Sequence, residues 1–167
     1  MKKELTVLNA INCVTFYNQV LSGDNSLDAL PLKIKWALKR AVEKMAPDVA
    51  VFEELRDKEV EKIRNKYFDE EHSVKKVMPK LDDSGNPVID NEGNPVEEEV
   101  LQVKDEYIDE YKKAISKLNE KLTEITTEKN TYEYNGINMD DYIDSIDDSK
   151  ISFEAINMID AILGERD

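Results

Sequence analysis

The sequence predicts a mainly α protein: a long antiparallel helical hairpin with a β-hairpin or short meander at its tip and small N- and C-terminal helices at its base. Three observations predict this fold. Apolar residues recur every three or four positions through residues 32–68 and again through 104–127. The segment between them is rich in glycine, asparagine and proline. Charged residues make up 36% of the chain and aromatic residues 7%, which favours helices with solvated faces.

A chain of 167 residues is most simply one domain. We predict a single domain over residues 1–167, in which 73–103 form a projecting β tip. Residues 130–167 would then form a C-terminal strand and helix that pack on the base.

The first predicted helix covers residues 5–21, whose apolar side chains are spaced to lie on one face. Cys13 lies beside this stripe, and the sequence provides no base to activate its thiol. As the only cysteine it cannot form an internal disulfide, so we interpret it as a core residue.

The second helix begins near Pro31 and follows a four-three alternation of apolar residues in which Asp48 occupies one position. Pro47 interrupts it, so either the helix kinks there or two helices meet. Trp36 lies off the stripe, and we expect it to pack against the first helix.

The predicted β tip contains Gly-Asn-Pro-Val twice, eight residues apart. Gly85 and Gly93 suit the left-handed positions of two turns, and Pro87 and Pro95 cannot donate to a central strand. Neither turn matches a calcium loop of the EF-hand type, because the first ligand position is a lysine in one alignment and a valine in the other. We interpret the turns as a candidate interaction tip formed by Asp82, Asp83, Asn86, Asp90, Asn91 and Asn94.

The third helix, from about residue 104 to 127, has a regular heptad seam that would pair with the second helix. Residues 132–134 then read as a lone strand. Ser152 is a predicted N-cap of a final short helix that stops at Gly164.

No catalytic or cofactor motif stands out, so we predict a protein that is not an enzyme and has no cofactor and no metal site. His72 is the only histidine and lies among acids. A cluster of aspartates could in principle hold a divalent ion, although nothing else in the sequence supports it: Asp140, Asp141, Asp144, Asp147 and Asp148.

The net charge of −14 is unevenly distributed: residues 1–68 carry 12 basic and 10 acidic side chains, and residues 69–167 carry 11 and 27. Residues 69–167, with their excess of acids, would repel nucleic acid and anionic membranes. The one basic cluster is a candidate patch for nucleic acid or an acidic partner, although a solvated helix face is the favoured interpretation: Lys33, Lys35, Lys39, Arg40 and Lys44.

The motifs LNAIN, LPLKIKWALKR, FEELRDKEVEKIRNKYF, DDSGNPV/DNEGNPV and ISFEAINMIDAIL occur in this order along the chain. In these motifs the sequence resembles a family of small uncharacterised proteins encoded by tailed bacteriophages. The resemblance implies a phage or prophage source, and either a virion or assembly component or an early protein that acts on host machinery.

We therefore predict a non-enzymatic, phage-encoded protein-interaction module that binds a host or phage protein or self-associates through its heptad seams. It would lie in the host cell cytoplasm, or in the virion as a structural component. No direct nucleic-acid or membrane binding is expected. The alternative is an acidic inhibitor that mimics nucleic acid and blocks a host nucleic-acid-binding or defence protein.

Overall fold

The computed structural model describes residues 1–21, 25–147 and 149–164. In these residues the protein has four α-helices and two small antiparallel sheets, so the prediction of a mainly α chain is confirmed. The helices are α1 (Val7–Phe16), α2 (Leu32–Tyr67), α3 (Ile108–Thr127) and α4 (Phe153–Leu163), and the strands are β1 (Lys2–Thr6), β2 (Ser73–Pro79), β3 (Glu97–Val103) and β4 (Lys129–Glu133).

The chain divides into two compact units. Unit 1 comprises Met1–Leu55 with Leu122–Asp167, and unit 2 comprises Arg56–Lys121. Helices α2 and α3 each contribute residues to both units. The single domain predicted for residues 1–167 stays a prediction.

The sheet of unit 1 pairs β1 with β4 in antiparallel register, with Lys2 opposite Glu133 and Thr6 opposite Lys129. The prediction that the first helix begins at residue 5 is therefore wrong. The backbone of β1 is satisfied by β4, and the Thr6 hydroxyl then caps α1 by accepting the N–H of Asn9 at 3.1 Å. For the same reason the expectation of a lone strand at residues 132–134 is wrong.

The core of unit 1 forms around the apolar stripe of α2. Ile34, Leu38 and Met45 have no exposed surface, and neither have Ile159 and Leu163 of α4. Cys13 belongs to the same cluster, and burial raises the pKa of its thiol to about 11. The thiol is therefore protonated and inert at neutral pH, as expected of a core residue.

Helix α2 continues through Pro47, so the alternative of two separate helices is wrong. Proline has no N–H, and the helix therefore lacks one hydrogen bond at this point. Asp48, the acid in the apolar stripe, lies partly buried and accepts two hydrogen bonds. The Asn130 amide donates to its Oδ2 at 3.0 Å and the Tyr132 hydroxyl at 2.8 Å.

The last helix is bounded by the residues that the sequence predicted. Ser152 accepts the N–H of Ala155 at 3.2 Å, and α4 ends at Gly164. Gly164 has an ordinary negative φ, and what requires glycine is a close approach: a Cβ there would lie 2.5 Å from the Asp160 carbonyl oxygen. Its own N–H donates to that oxygen at 2.7 Å.

Unit 2 contains the second sheet, in which β2 and β3 pair antiparallel from Ser73 opposite Val103 to Pro79 opposite Glu97. Helix α3 starts at Ile108 and not at residue 104, because a 3-10 turn occupies Asp105–Tyr107. Within unit 2 the end of α2 meets the start of α3 at three rings. The Tyr67 and Phe68 centroids lie 5.5 and 5.7 Å from that of Tyr111.

The connection between β2 and β3 consists of two turns of the same geometry. In each turn the glycine N–H donates to the carbonyl of an aspartate three residues earlier, Asp82 or Asp90. Gly85 and Gly93 have φ of 81° and 86°, which confirms their predicted left-handed conformation.

Three residues spaced eight apart close these turns into a ring of backbone hydrogen bonds. Lys80 donates to Val96 at 2.7 Å, Val96 to Val88 at 2.8 Å, and Val88 to Lys80 at 2.8 Å. Each of the three residues thus donates once and accepts once. Because the repeat is eight residues long, each turn returns the chain to a position where the next N–H and carbonyl can join this ring.

Candidate functional site

Unit 2 combines few buried residues with several exposed apolar side chains. Arg56–Lys121 is described throughout, and only Tyr67, Ser73, Val103 and Leu118 are buried in it. Seven large apolar side chains are exposed: Val60, Val74, Val77, Met78, Leu81, Ile89 and Leu101. Where exposed apolar side chains lie together, they typically mark an interaction site.

An open groove of about 520 Å³ lies within this surface. Its walls are the last turns of α2, the middle of β3 and the first turns of α3, and Arg64 and Glu99 supply its charged groups. The apolar lining consists of Val60, Ile63, Phe68, Val100, Leu101, Tyr111 and Ile115. We call this set the unit 2 groove.

The local sequence explains why the groove stays open. In β2 and β3 the side chains alternate between the faces of a sheet with only two strands. Lysines and glutamates occupy much of both faces, and Lys75 pairs with Glu99 at 3.1 Å. Charged side chains remain solvated, so the strands supply too little apolar surface to fill the space beside the helices.

His72 and Asp69 form a loop-stabilising pair beside the groove. The Asp69 carboxylate accepts the backbone N–H of His72 at 2.8 Å, and its Oδ1 lies 2.7 Å from the His72 ring nitrogen. These contacts hold the pKa of the Asp69 carboxyl below its ordinary value. The Ser73 hydroxyl donates to the Asp69 carbonyl at 2.6 Å, so the three residues form a turn and not a catalytic relay.

The candidate tip residues lie on the two turns between β2 and β3. Asp82 Oδ1 accepts the N–H groups of Ser84 and Asn86, both at 2.9 Å, and Asp90 Oδ1 does the same for its own turn. The Asn86 N–H, more than that of Ser84, holds the pKa of the Asp82 carboxyl below its ordinary value. Asp82 and Asp90 therefore hold the turns together, whereas the exposed Asp83 and Asn91 are presented to solvent.

The candidate basic patch lies on α2 in unit 1. Lys35 pairs with Asp28 at 3.4 Å, and the Lys33 ammonium lies 5.3 Å from the centroid of the Tyr142 ring. In the part of the chain that the structure describes, Lys39, Arg40 and Lys44 form no ion pair. The prediction that Trp36 packs against the first helix is wrong, since Trp36 is 62% exposed beside these cations.

The aspartate-rich segment shows local pairing. Asp147 accepts from the Ser149 hydroxyl at 2.6 Å and pairs with Lys150 at 2.9 Å. Asp148 lies outside the described residues. Over residues 1–21, 25–147 and 149–164, no group of three or more histidine, cysteine or acidic side chains is placed to hold a metal ion.

Sequence reasoning missed the unit 2 groove. The apolar spacing through residues 32–68 predicted one packed face, yet Val60 is exposed and Ile63 is only half-buried. No local signal pointed to the groove, because its lining residues come from three segments that are far apart in the sequence.

No helix in the described ranges combines the length and the apolar character needed to cross a bilayer. The chain matches no protein-family model, no curated protein and no solved structure.

Proposed function

We propose that the protein is a non-enzymatic interaction module of phage origin that binds a protein partner through the unit 2 groove and the apolar strands beside it. The phage origin rests on the sequence resemblance. The observation that carries the interaction is the imbalance of unit 2, with four buried residues against seven exposed large apolar side chains. The protein would act in the host cytoplasm or as part of the virion.

The physical argument concerns the cost of exposed apolar surface. Removing apolar surface from water contributes roughly 25 cal/mol per Å². A domain of about 60 residues is marginally stable even when its core is complete, and a two-stranded hairpin alone is weaker still. A partner that covers Val60, Val100 and Leu101 would supply burial that unit 2 lacks.

The helical hairpin predicted for residues 32–68 and 104–127 remains part of this proposal. Its support comes from unit 2, where Tyr67 and Phe68 pack on Tyr111 and Lys66 lies 3.9 Å from Glu110. Such an arrangement places the end of α2 beside the start of α3, as two antiparallel arms joined through the β segment require.

The test is a substitution in the groove, Leu101→Glu, with Leu8→Glu as the matched control. Both leucines are 48% exposed, one in unit 2 and one in α1 of unit 1. Lys75 lies opposite residue 101 in the sheet, so a glutamate there has a cation nearby. Tagged wild-type and variant proteins would be used to capture partners from infected cells, and the binding of each candidate would then be measured with purified proteins.

We expect Leu101→Glu to weaken the partner's affinity by about tenfold or more, as at an interface centre, and Leu8→Glu to leave it unchanged. Equal effects of the two substitutions would contradict a site in unit 2. Detection of the protein in purified virions would assign it to the particle.

The salt dependence of binding, measured on the same purified complex, distinguishes the interaction module from the alternative, an acidic mimic of nucleic acid. Binding that depends on the charge of residues 69–167 falls steeply as salt is raised, whereas apolar docking hardly changes. A steep salt dependence, with no effect of Leu101→Glu, would favour the mimic.

A further inference from the structure

A second exposed surface lies in unit 1, on the face of α2 around the chain's only tryptophan. Trp36 is 62% exposed and Leu32 is 81% exposed. Tryptophan is among the residues that contribute most to protein interfaces, and leaving it in water forgoes a large burial energy. We call Leu32, Lys33, Trp36, Lys39, Arg40 and Lys44 the Trp36 face.

Helical spacing gathers cations on this face. Lys33, Trp36, Arg40 and Lys44 follow one another at intervals of three and four, so they lie along one side of α2. The Arg40 guanidinium lies 6.0 Å from the centroid of the Trp36 ring. Over residues 32–44 the only acid is Glu43, in a chain whose net charge is −14.

A recess continues the Trp36 face. It has a volume of about 290 Å³ and lies between Arg40 and Lys44 of α2 and residues 133–135 at the end of β4. Glu133 lines the recess but forms no ion pair with either cation in the described structure. The two cations of the recess and the exposed Trp36 ring therefore lie in a row along one side of α2.

We infer that the Trp36 face binds an acidic segment of a partner protein, with a carboxylate between Arg40 and Lys44 and an apolar side chain on Trp36. Charge complementarity specifies the segment, because arginine and lysine pair with carboxylates and Glu133 is the one acid that lines the recess. Nucleic acid fits less well: it carries a dense row of phosphates that the acidic remainder of the chain repels, and one aromatic ring offers no row of stacking platforms. The inference does not depend on the unit 2 groove.

The fluorescence of Trp36 reports binding at this face, because the chain contains no other tryptophan. The probe is a capped synthetic peptide of about a dozen residues in which glutamate pairs alternate with leucine, compared with the same peptide carrying glutamine for glutamate. An oligothymidylate of equal charge tests nucleic acid. The double substitution Arg40→Gln/Lys44→Gln is matched by Lys112→Gln/Lys113→Gln, two exposed lysines of α3 in unit 2.

The glutamate peptide should change the fluorescence of Trp36, with an affinity that falls as salt rises from about 50 to about 200 mM. Arg40→Gln/Lys44→Gln should weaken binding by about tenfold, and the matched α3 variant by less than about twofold. The inference is overturned if the peptide leaves Trp36 unchanged, if the glutamine peptide binds as well, if both double variants weaken binding equally, or if the oligothymidylate binds more tightly. Circular dichroism of each variant checks that the fold is retained.

Discussion

Both units expose large apolar side chains, but unit 1 also has an extensive buried core. In unit 1 apolar residues close around a core in which Ile34, Leu38 and Ile159 have no exposed surface. In unit 2 the large apolar residues Val77 and Leu101 are 61% and 48% exposed. The two sheets differ in the same way, since β4 contributes Tyr132 to a buried cluster and β2 is exposed beyond Ser73.

The difference indicates that different interactions stabilise the folded states of the two units. Unit 1 buries enough apolar surface to stabilise its own helices and sheet. Unit 2 relies on local devices instead: a ring of three backbone hydrogen bonds, two carboxylates that accept backbone N–H groups, and a cluster of aromatic rings. Devices of this kind fix the backbone without burying the apolar side chains.

The largest effect expected from this comparison is on stability. Leu38→Ala opens a cavity in the unit 1 core and should lower the free energy of unfolding by about 3 to 5 kcal/mol. Leu101→Ala removes the same atoms from the exposed surface of unit 2 and should cost less than about 1 kcal/mol. Urea denaturation followed by circular dichroism measures both, and similar losses would remove the distinction between the units.

Features that depend on near neighbours were predictable from the sequence. The cap at Ser152, the end of α4 at Gly164 and the left-handed glycines at 85 and 93 each follow from residues within a few positions. The apolar spacing of residues 32–68 also predicted a helix where α2 (Leu32–Tyr67) lies, because helical periodicity is local.

Features that depend on distant partners were not predictable. β1 is a strand because it pairs with β4, which lies more than a hundred residues further along the chain. The local spacing of Val7 and Ile11 instead favoured a helix that begins earlier. Periodicity places Trp36 off the stripe but does not say whether anything covers it. The unit 2 groove is lined by residues of α2, β3 and α3 that are far apart in the sequence, so no local pattern predicts it.

A smaller effect should come from the buried phenol of unit 1. Burial, with the hydrogen bond to Asp48, raises the pKa of Tyr132 to about 12 from its ordinary value of 10.0. Because the folded value is the higher one, the stability that Tyr132 contributes is fully present below pH 10 and is lost as the pH rises through 12. Burial raises the pKa of Tyr134 as well, and its hydroxyl donates to the Ile162 carbonyl at 2.8 Å.

Tyr132→Phe leaves Asp48 with only Asn130 as a donor and should cost about 1 to 2 kcal/mol at neutral pH. It should also make the alkaline loss of stability shallower. The control is Tyr111→Phe in unit 2, where the ring is partly exposed. Unfolding measured in urea at several alkaline pH values compares them, and an unchanged alkaline slope in Tyr132→Phe would contradict the assignment.

The smallest effect should come from deleting residues 88–95, one complete turn of the unit 2 connection. Val96 would then follow Pro87, and its N–H would take the place of the Val88 N–H toward the Lys80 carbonyl. Lys80 and Val96 would exchange both hydrogen bonds, as opposite residues of an antiparallel ladder do, in register with the existing pair of Pro79 and Glu97. The deletion removes only exposed or half-exposed residues, so the thermal midpoint should move by less than about 2 °C.

Deleting residues 89–95 is the matched control, because it leaves one residue too many before β3 and forces a bulge or a slip of register. Amide hydrogen exchange in β2 and β3 should therefore stay protected in the eight-residue deletion and become faster in the seven-residue one. Lost protection in the eight-residue deletion would mean that the second turn is needed to hold the strands together.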